Sequence, residues 1–118
     1  MNLSRRNMLK ASGALALASG AGVRAAIRRD AVLAVYDSRL PESCAFAQHA
    51  AAAGVALVDV ADEDQTRWRT LRAAPKQGRI IGLTRWSDYV VARGALEDQR
   101  KRLRSEIAHG ALFLWDMA

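Results

Sequence analysis

Ala31-Val32-Leu33-Ala34-Val35-Tyr36 is an unbroken apolar run that stops at Asp37. A strand covered on both faces shows no polar side to solvent, so a run of this length predicts a buried parallel strand. Pro41 then suits the first turn of a helix, where the N–H it lacks would have no partner in any case. The alanine-rich stretch to Ala53 continues that helix, and Gly54 supplies its stop. Phe46, Ala50 and Ala53 fall on one face, among alanines small enough to let the helix approach a sheet closely. Val55 to Val60 predicts a second strand. Asp62, followed three residues later by Gln65, has the spacing of a capping box that opens a second helix through Trp68 and Leu71. Ala74-Pro75 ends it, because the residue before a proline is pushed out of the helical region. Arg79 to Thr84 is a third strand, with Ser87 as the cap of a third helix.

Beyond that helix two patterns compete. Leu103, Ser105 and Ile107 alternate with Arg102, Arg104 and Glu106, and His109-Gly110 offers a turn into Ala111-Leu112-Phe113-Leu114-Trp115. Period-two alternation on both sides of a glycine turn favours a terminal β-hairpin. Leu96, Leu103 and Ile107 also recur at helical spacing, so the alternative is one long helix leading into a fourth parallel strand. The expected fold class is therefore α/β: a small three-layer-type domain with a mainly parallel sheet, β-α-β-α-β-α, closed by a C-terminal hairpin. Right-handed crossovers follow from the short strand–helix–strand links.

The start of the chain reads differently. Ser4-Arg5-Arg6-Asn7-Met8-Leu9-Lys10 precedes Ala11 to Val23, thirteen residues without a charge. That run is shorter than the roughly 20 strongly apolar residues of a membrane span. Its basic start, short apolar centre and small residues ahead of Ala26 have the layout of a signal peptide. The motif resembles the twin-arginine (Tat) export signal, with Met8 where phenylalanine is usual. The resemblance implies that Arg5 and Arg6 are read by the Tat export machinery and that the chain folds before export. It also implies a periplasmic or secreted location, with membrane contact only during transit. The expected division is residues 1–25 as signal, with Val23-Arg24-Ala25 or Ser19-Gly20-Ala21 before the cut, and residues 26–118 as one domain. The alternative is an uncleaved anchor or a cytoplasmic alanine-rich helix.

This division changes the charge balance. The whole chain carries 18 Lys and Arg against 12 Asp and Glu, net +6. Removing Arg5, Arg6, Lys10 and Arg24 leaves 14 basic residues against the same 12 acids, net +2. The cluster Arg100-Lys101-Arg102 with Arg104 lacks interleaved aromatics and reads as a solvated face, so no nucleic-acid partner is expected. Cys44 is the single cysteine, so no intrachain disulfide can form, and among alanines it reads as a small buried residue. His49 lies five positions on, roughly 140° around the helix, so the two do not form a local pair. No CxxC, HExxH, GxGxxG, Walker or GxSxG pattern follows the signal, and neither a cofactor nor a metal is expected.

In open α/β sheets ligands bind beyond the carboxyl ends of the strands, where strand order reverses. Asp37, Ser38 and Arg39 follow the first predicted strand; Thr84, Arg85 and Trp86 follow the third. With the first strand central, both groups flank one crevice. There Arg39 and Arg85 would grip a carboxylate or phosphate, and Trp86 would form a flat wall. The same residues also serve as ordinary turn and cap residues. The leading expectation is a non-enzymatic binding module for a small anionic ligand or a partner protein. The alternatives are a small hydrolase or transferase using the same crevice, and an accessory protein for a larger exported enzyme. The surface proposed for a partner is the Phe113/Trp115 region, whose bulky apolar groups fall on both strand faces.

Overall fold

The structure, a computed structural model, describes residues 30–62, 66–74 and 77–118, with residues 66–68 described by their backbone alone. The proposed signal, Gln65 of the capping box and Pro75 lie outside these residues. The described elements run β1 (Ala31–Tyr36), α1 (Pro41–Ala52), β2 (Ala56–Asp59), α2 (Thr66–Arg72), β3 (Arg79–Arg85), α3 (Trp86–Glu97), β4 (Leu103–His109) and β5 (Leu112–Met117). They form a small mixed α/β domain around one five-stranded sheet of order β2-β1-β3-β5-β4. β1 is parallel to both β2 and β3, whereas β5 is antiparallel to β3 and β4.

Side chains alternate across a strand, so β1 feeds two cores at once. Leu33 and Val35 join Val58, Val60 and Leu71 beneath α2 and α3, together with Tyr89, Leu96, Trp115 and Met117. Ala34 faces the other way, into a core of Phe46, Ala50, Val55, Ile81, Leu83, Leu112 and Leu114 beneath α1. Phe46 and Ala50 are thus the buried face of α1, but Ala53 is exposed, because the helix has already ended and Gly54 turns the chain at φ +82°.

Residues 103–107 are strand, so the hairpin and not the long helix is the structure of the C-terminus. α3 stops near Glu97, and Arg100 takes the left-handed conformation at φ +67°. The Lys101 N–H then reaches back to the Leu96 carbonyl, 3.1 Å away, in a Schellman-type ending. Leu103 and Ile107 consequently never share a helix face. The solvated-face expectation for residues 100–104 fails at Lys101, which is only 3% exposed and donates from Nζ to the Gly78 carbonyl at 3.1 Å.

β5 is covered on both faces by this chain's own helices, and Trp115 is 1% exposed. Trp115 itself therefore offers no exposed ring at the surface. Its indole lies across Gly82, its antiparallel neighbour on β3, and donates from Nε1 to Thr84 Oγ1 at 3.1 Å. Phe113, half-buried, packs against the rings of both Trp86 and Tyr89. Among the described residues no helix is long and apolar enough to cross a membrane.

Candidate functional site

β2 and β3 flank β1, so the chain leaves β1 first to one side and then to the other, and the reversal falls between β1 and β3. The carboxyl ends of these strands bring together the two groups read from the sequence, with the N-termini of α1 and α3 above them. They are joined by a residue to which the sequence reading assigned no role. Ser43, buried in the first turn of α1, accepts the Asp37 N–H at 2.8 Å and donates to the Leu83 carbonyl at 2.6 Å. One hydroxyl therefore bridges the ends of β1 and β3. Its sequence signal, a serine just inside a Pro-started helix, is indistinguishable from ordinary first-turn preference.

Asp37 is fully buried and turns its carboxylate back onto its own loop. Oδ1 accepts the Arg39 backbone N–H at 3.0 Å and Arg39 Nε at 2.9 Å, while Oδ2 accepts Nη2 at 2.9 Å. This is a bidentate fork closed over two residues. It occupies the side of Arg39 that an incoming anion would otherwise use, although the residue remains 54% exposed. Asp88 at the start of α3 stands 3.9 Å from Arg39 Nη2 on the outer side. Ser38 is exposed; its N–H donates to Asp59 Oδ1 at 3.0 Å, and Ala61 donates to the same oxygen at 2.9 Å. Thr84 is buried and engaged by Trp115.

Of the six residues expected to touch a ligand, Asp37 and Thr84 are thus internal braces. Ser38, Arg39, Arg85 and Trp86 reach the surface. Trp86 is 53% exposed and rests edge-on against Tyr89, ring centroids 5.4 Å apart, and against Phe113 at 5.2 Å. Among the described residues no side-chain hydrogen bond or ion pair engages the Arg85 guanidinium, although its charge helps hold Asp37 ionised. Ser87 is not the helix cap expected of it. α3 begins two residues earlier than that cap would place it, at Trp86, with Arg85 at the N-cap and no side chain closing the first turn. Cys44 is half-exposed instead of buried, its thiol 3.3 Å from the Ser38 carbonyl. His109 ends β4 with Nε2 2.8 Å from Glu42 Oε2 on α1. Among the described residues no three His, Cys, Asp or Glu side chains are grouped to hold a metal ion.

The Arg39 hydrogen bonds hold the Asp37 carboxyl below its ordinary value, against the opposing effect of burial. Burial would raise Asp59, but the Ser38 side chain, together with the amides of Ser38 and Ala61, outweighs it and brings that carboxyl down too. A carboxyl held low in the folded chain contributes its full stability above the unfolded value, near 3.9. That contribution is lost as pH falls through the unfolded value and then the folded one. Urea midpoints measured between about pH 2 and 6 should therefore fall on the acid side, and Asp37→Asn should flatten the slope. An unchanged slope in that variant would show that Asp37 is not held low.

No family model, curated protein or solved structure matches the chain.

Proposed function

We propose that this chain is an exported binding protein. In this reading residues 1–25 act as a twin-arginine signal, and the β-α-β-α-β-α domain after them recognises a small anionic molecule at the carboxyl ends of β1 and β3. The observation that carries the ligand reading is Arg85. It is an exposed guanidinium with no described ion-pair partner, at the N-terminus of α3, beside the half-exposed ring of Trp86. Backbone N–H groups of a first helical turn without a side-chain cap favour an anion at that point. An arginine there adds a forked donor, and a flat aromatic wall gives the ligand an apolar contact. Arg39, already forked onto Asp37, is a rim charge more than a second clamp.

Binding is favoured over hydrolysis or group transfer because the hydroxyls inside the seam are engaged. Ser43 bridges two backbone groups, and Thr84 accepts the Trp115 indole. A partner protein is the second reading, supported by Trp86, Val90 and Val91, which are exposed together on α3.

Thermal-shift titration of the full chain with acetate, citrate and inorganic phosphate is expected to reveal at least one stabilising anion. Arg85→Gln should abolish the shift, and Arg39→Gln should only weaken it. An identified anion that binds Arg85→Gln as tightly as the parent would remove the site. For the address, replacing Arg5 and Arg6 together by lysine should retain a normally periplasmic chain in the cytoplasm on cell fractionation. Unaltered export of that variant would refute the twin-arginine reading.

A further inference from the structure

β4 is the last strand on its side of the sheet, and its five central residues, Arg104 to Ala108, are all exposed. Among the described residues it pairs only with β5. Gly110 and Ala111 form a two-residue hairpin loop, with Gly110 at φ +59°. In such a hairpin the closing pair, here His109 and Leu112, is hydrogen-bonded, and bonded and non-bonded pairs alternate away from it. Ile107 therefore bonds to Leu114, while the N–H and C=O of Glu106 and Ala108 turn outward from the sheet. A row of outward backbone donors and acceptors is complementary to another extended strand.

We propose that this strand is β4 of a second copy, running antiparallel about a two-fold axis through Ile107, so that two five-stranded sheets become one. In this register Glu106 and the partner's Ala108 exchange two backbone hydrogen bonds, and the symmetry repeats them. Ser105 faces His109 of the partner subunit, and Ile107 faces its own copy. Neighbouring registers are worse. Centring on Glu106 sets two carboxylates directly opposite, which is destabilising, and centring on Ala108 runs Glu106 out against the Gly110 turn. The bulge between Leu103 and Ser105 puts the first part of β4 out of phase, which blunts that half of the edge and leaves Ser105–His109 regular.

The side chains fit the same axis. Ile107 is 44% exposed, yet its cross-strand neighbour Leu114 belongs to the core beneath α1. An Ile107–Ile107 contact would extend that core across the junction. Glu106 is drawn back onto its own domain by the Tyr89 hydroxyl, which donates to it at 2.9 Å. β2 at the opposite edge has only four residues and offers fewer bonds.

Light scattering and sedimentation of the full chain over a dilution series should show twice the mass of one chain, dissociating at low concentration. Ala108→Pro removes only an outward-facing N–H, a position where an edge strand tolerates proline. It should yield a monomer with an unchanged far-ultraviolet spectrum. Ile107→Cys in a Cys44→Ser background should cross-link to a covalent dimer on mild oxidation, and Arg104→Cys in the same background should not. A monomer at every concentration, a dimer indifferent to Ala108→Pro, or an Ile107→Cys chain that fails to cross-link would each overturn the pairing. A β4 found instead paired with a strand of a different protein would overturn it as well.

Discussion

Trp115→Ala is expected to destabilise the fold by about 3–5 kcal/mol, the range for removing a large buried aromatic. Domains of this size have roughly 5–15 kcal/mol in total, so the variant should populate unfolded chain at room temperature. The size of the effect follows from position. The indole is fully buried at the centre of the larger core, against Tyr89, and its N–H is satisfied by the buried Thr84 hydroxyl. Removing it opens a cavity and also leaves that hydroxyl without its donor. The ring lies flat only because its cross-strand neighbour is Gly82, where any β-carbon would overlap the indole. Gly82→Ala alone should therefore cost about 1–3 kcal/mol or more through overpacking. In the Trp115→Ala background the same methyl has no ring to strike, and its cost should largely vanish. Denaturant unfolding of the four chains of this cycle measures the coupling, and additive effects would mean that ring and glycine do not meet.

Ser43→Ala is the second large effect. It deletes one small oxygen, but leaves the Asp37 N–H and the Leu83 carbonyl without their side-chain partner inside the seam. Each buried group so orphaned costs about 1–3 kcal/mol. The adjacent Cys44→Ala removes only a weak thiol donor at a half-exposed position and should change stability by about 0.5 kcal/mol or less. If the two variants unfold at the same denaturant concentration, the hydroxyl bridge contributes nothing. Because the bridge also sets the loop that carries Arg39, Ser43→Ala should weaken anion binding as well as stability. Arg85→Gln, at the exposed surface, should alter binding alone.

Much of the architecture is legible along the chain. The apolar run Ala31–Tyr36 coincides with β1, because a strand buried on both faces must be apolar throughout. Leu103, Ser105 and Ile107 alternate as a strand requires, and His109-Gly110 marks the turn that closes it. Less of the candidate site is legible. The location rule brings residues 37–39 and 84–86 to one edge. It cannot tell that Asp37 closes on Arg39, two residues away, or that Thr84 faces inward to an indole from a strand 31 residues later in sequence. Lys101 misleads for a related reason, since three adjacent basic residues do not reveal that the middle one is drawn beneath Gly78.

What the sequence determines by itself is local: the period of apolar residues, the start of α1 at Pro41 and its stop at Gly54, and the terminal motif that proposes an address. These depend on backbone geometry over a few residues, which residue type sets directly. What only the tertiary structure decides is which polar groups remain available. A hydroxyl, carboxylate or guanidinium reads the same whether it meets water or a distant backbone group. Long-range packing consumed Ser43 and Thr84, the loop folding back consumed Asp37, and Arg85 and Trp86 were left at the surface.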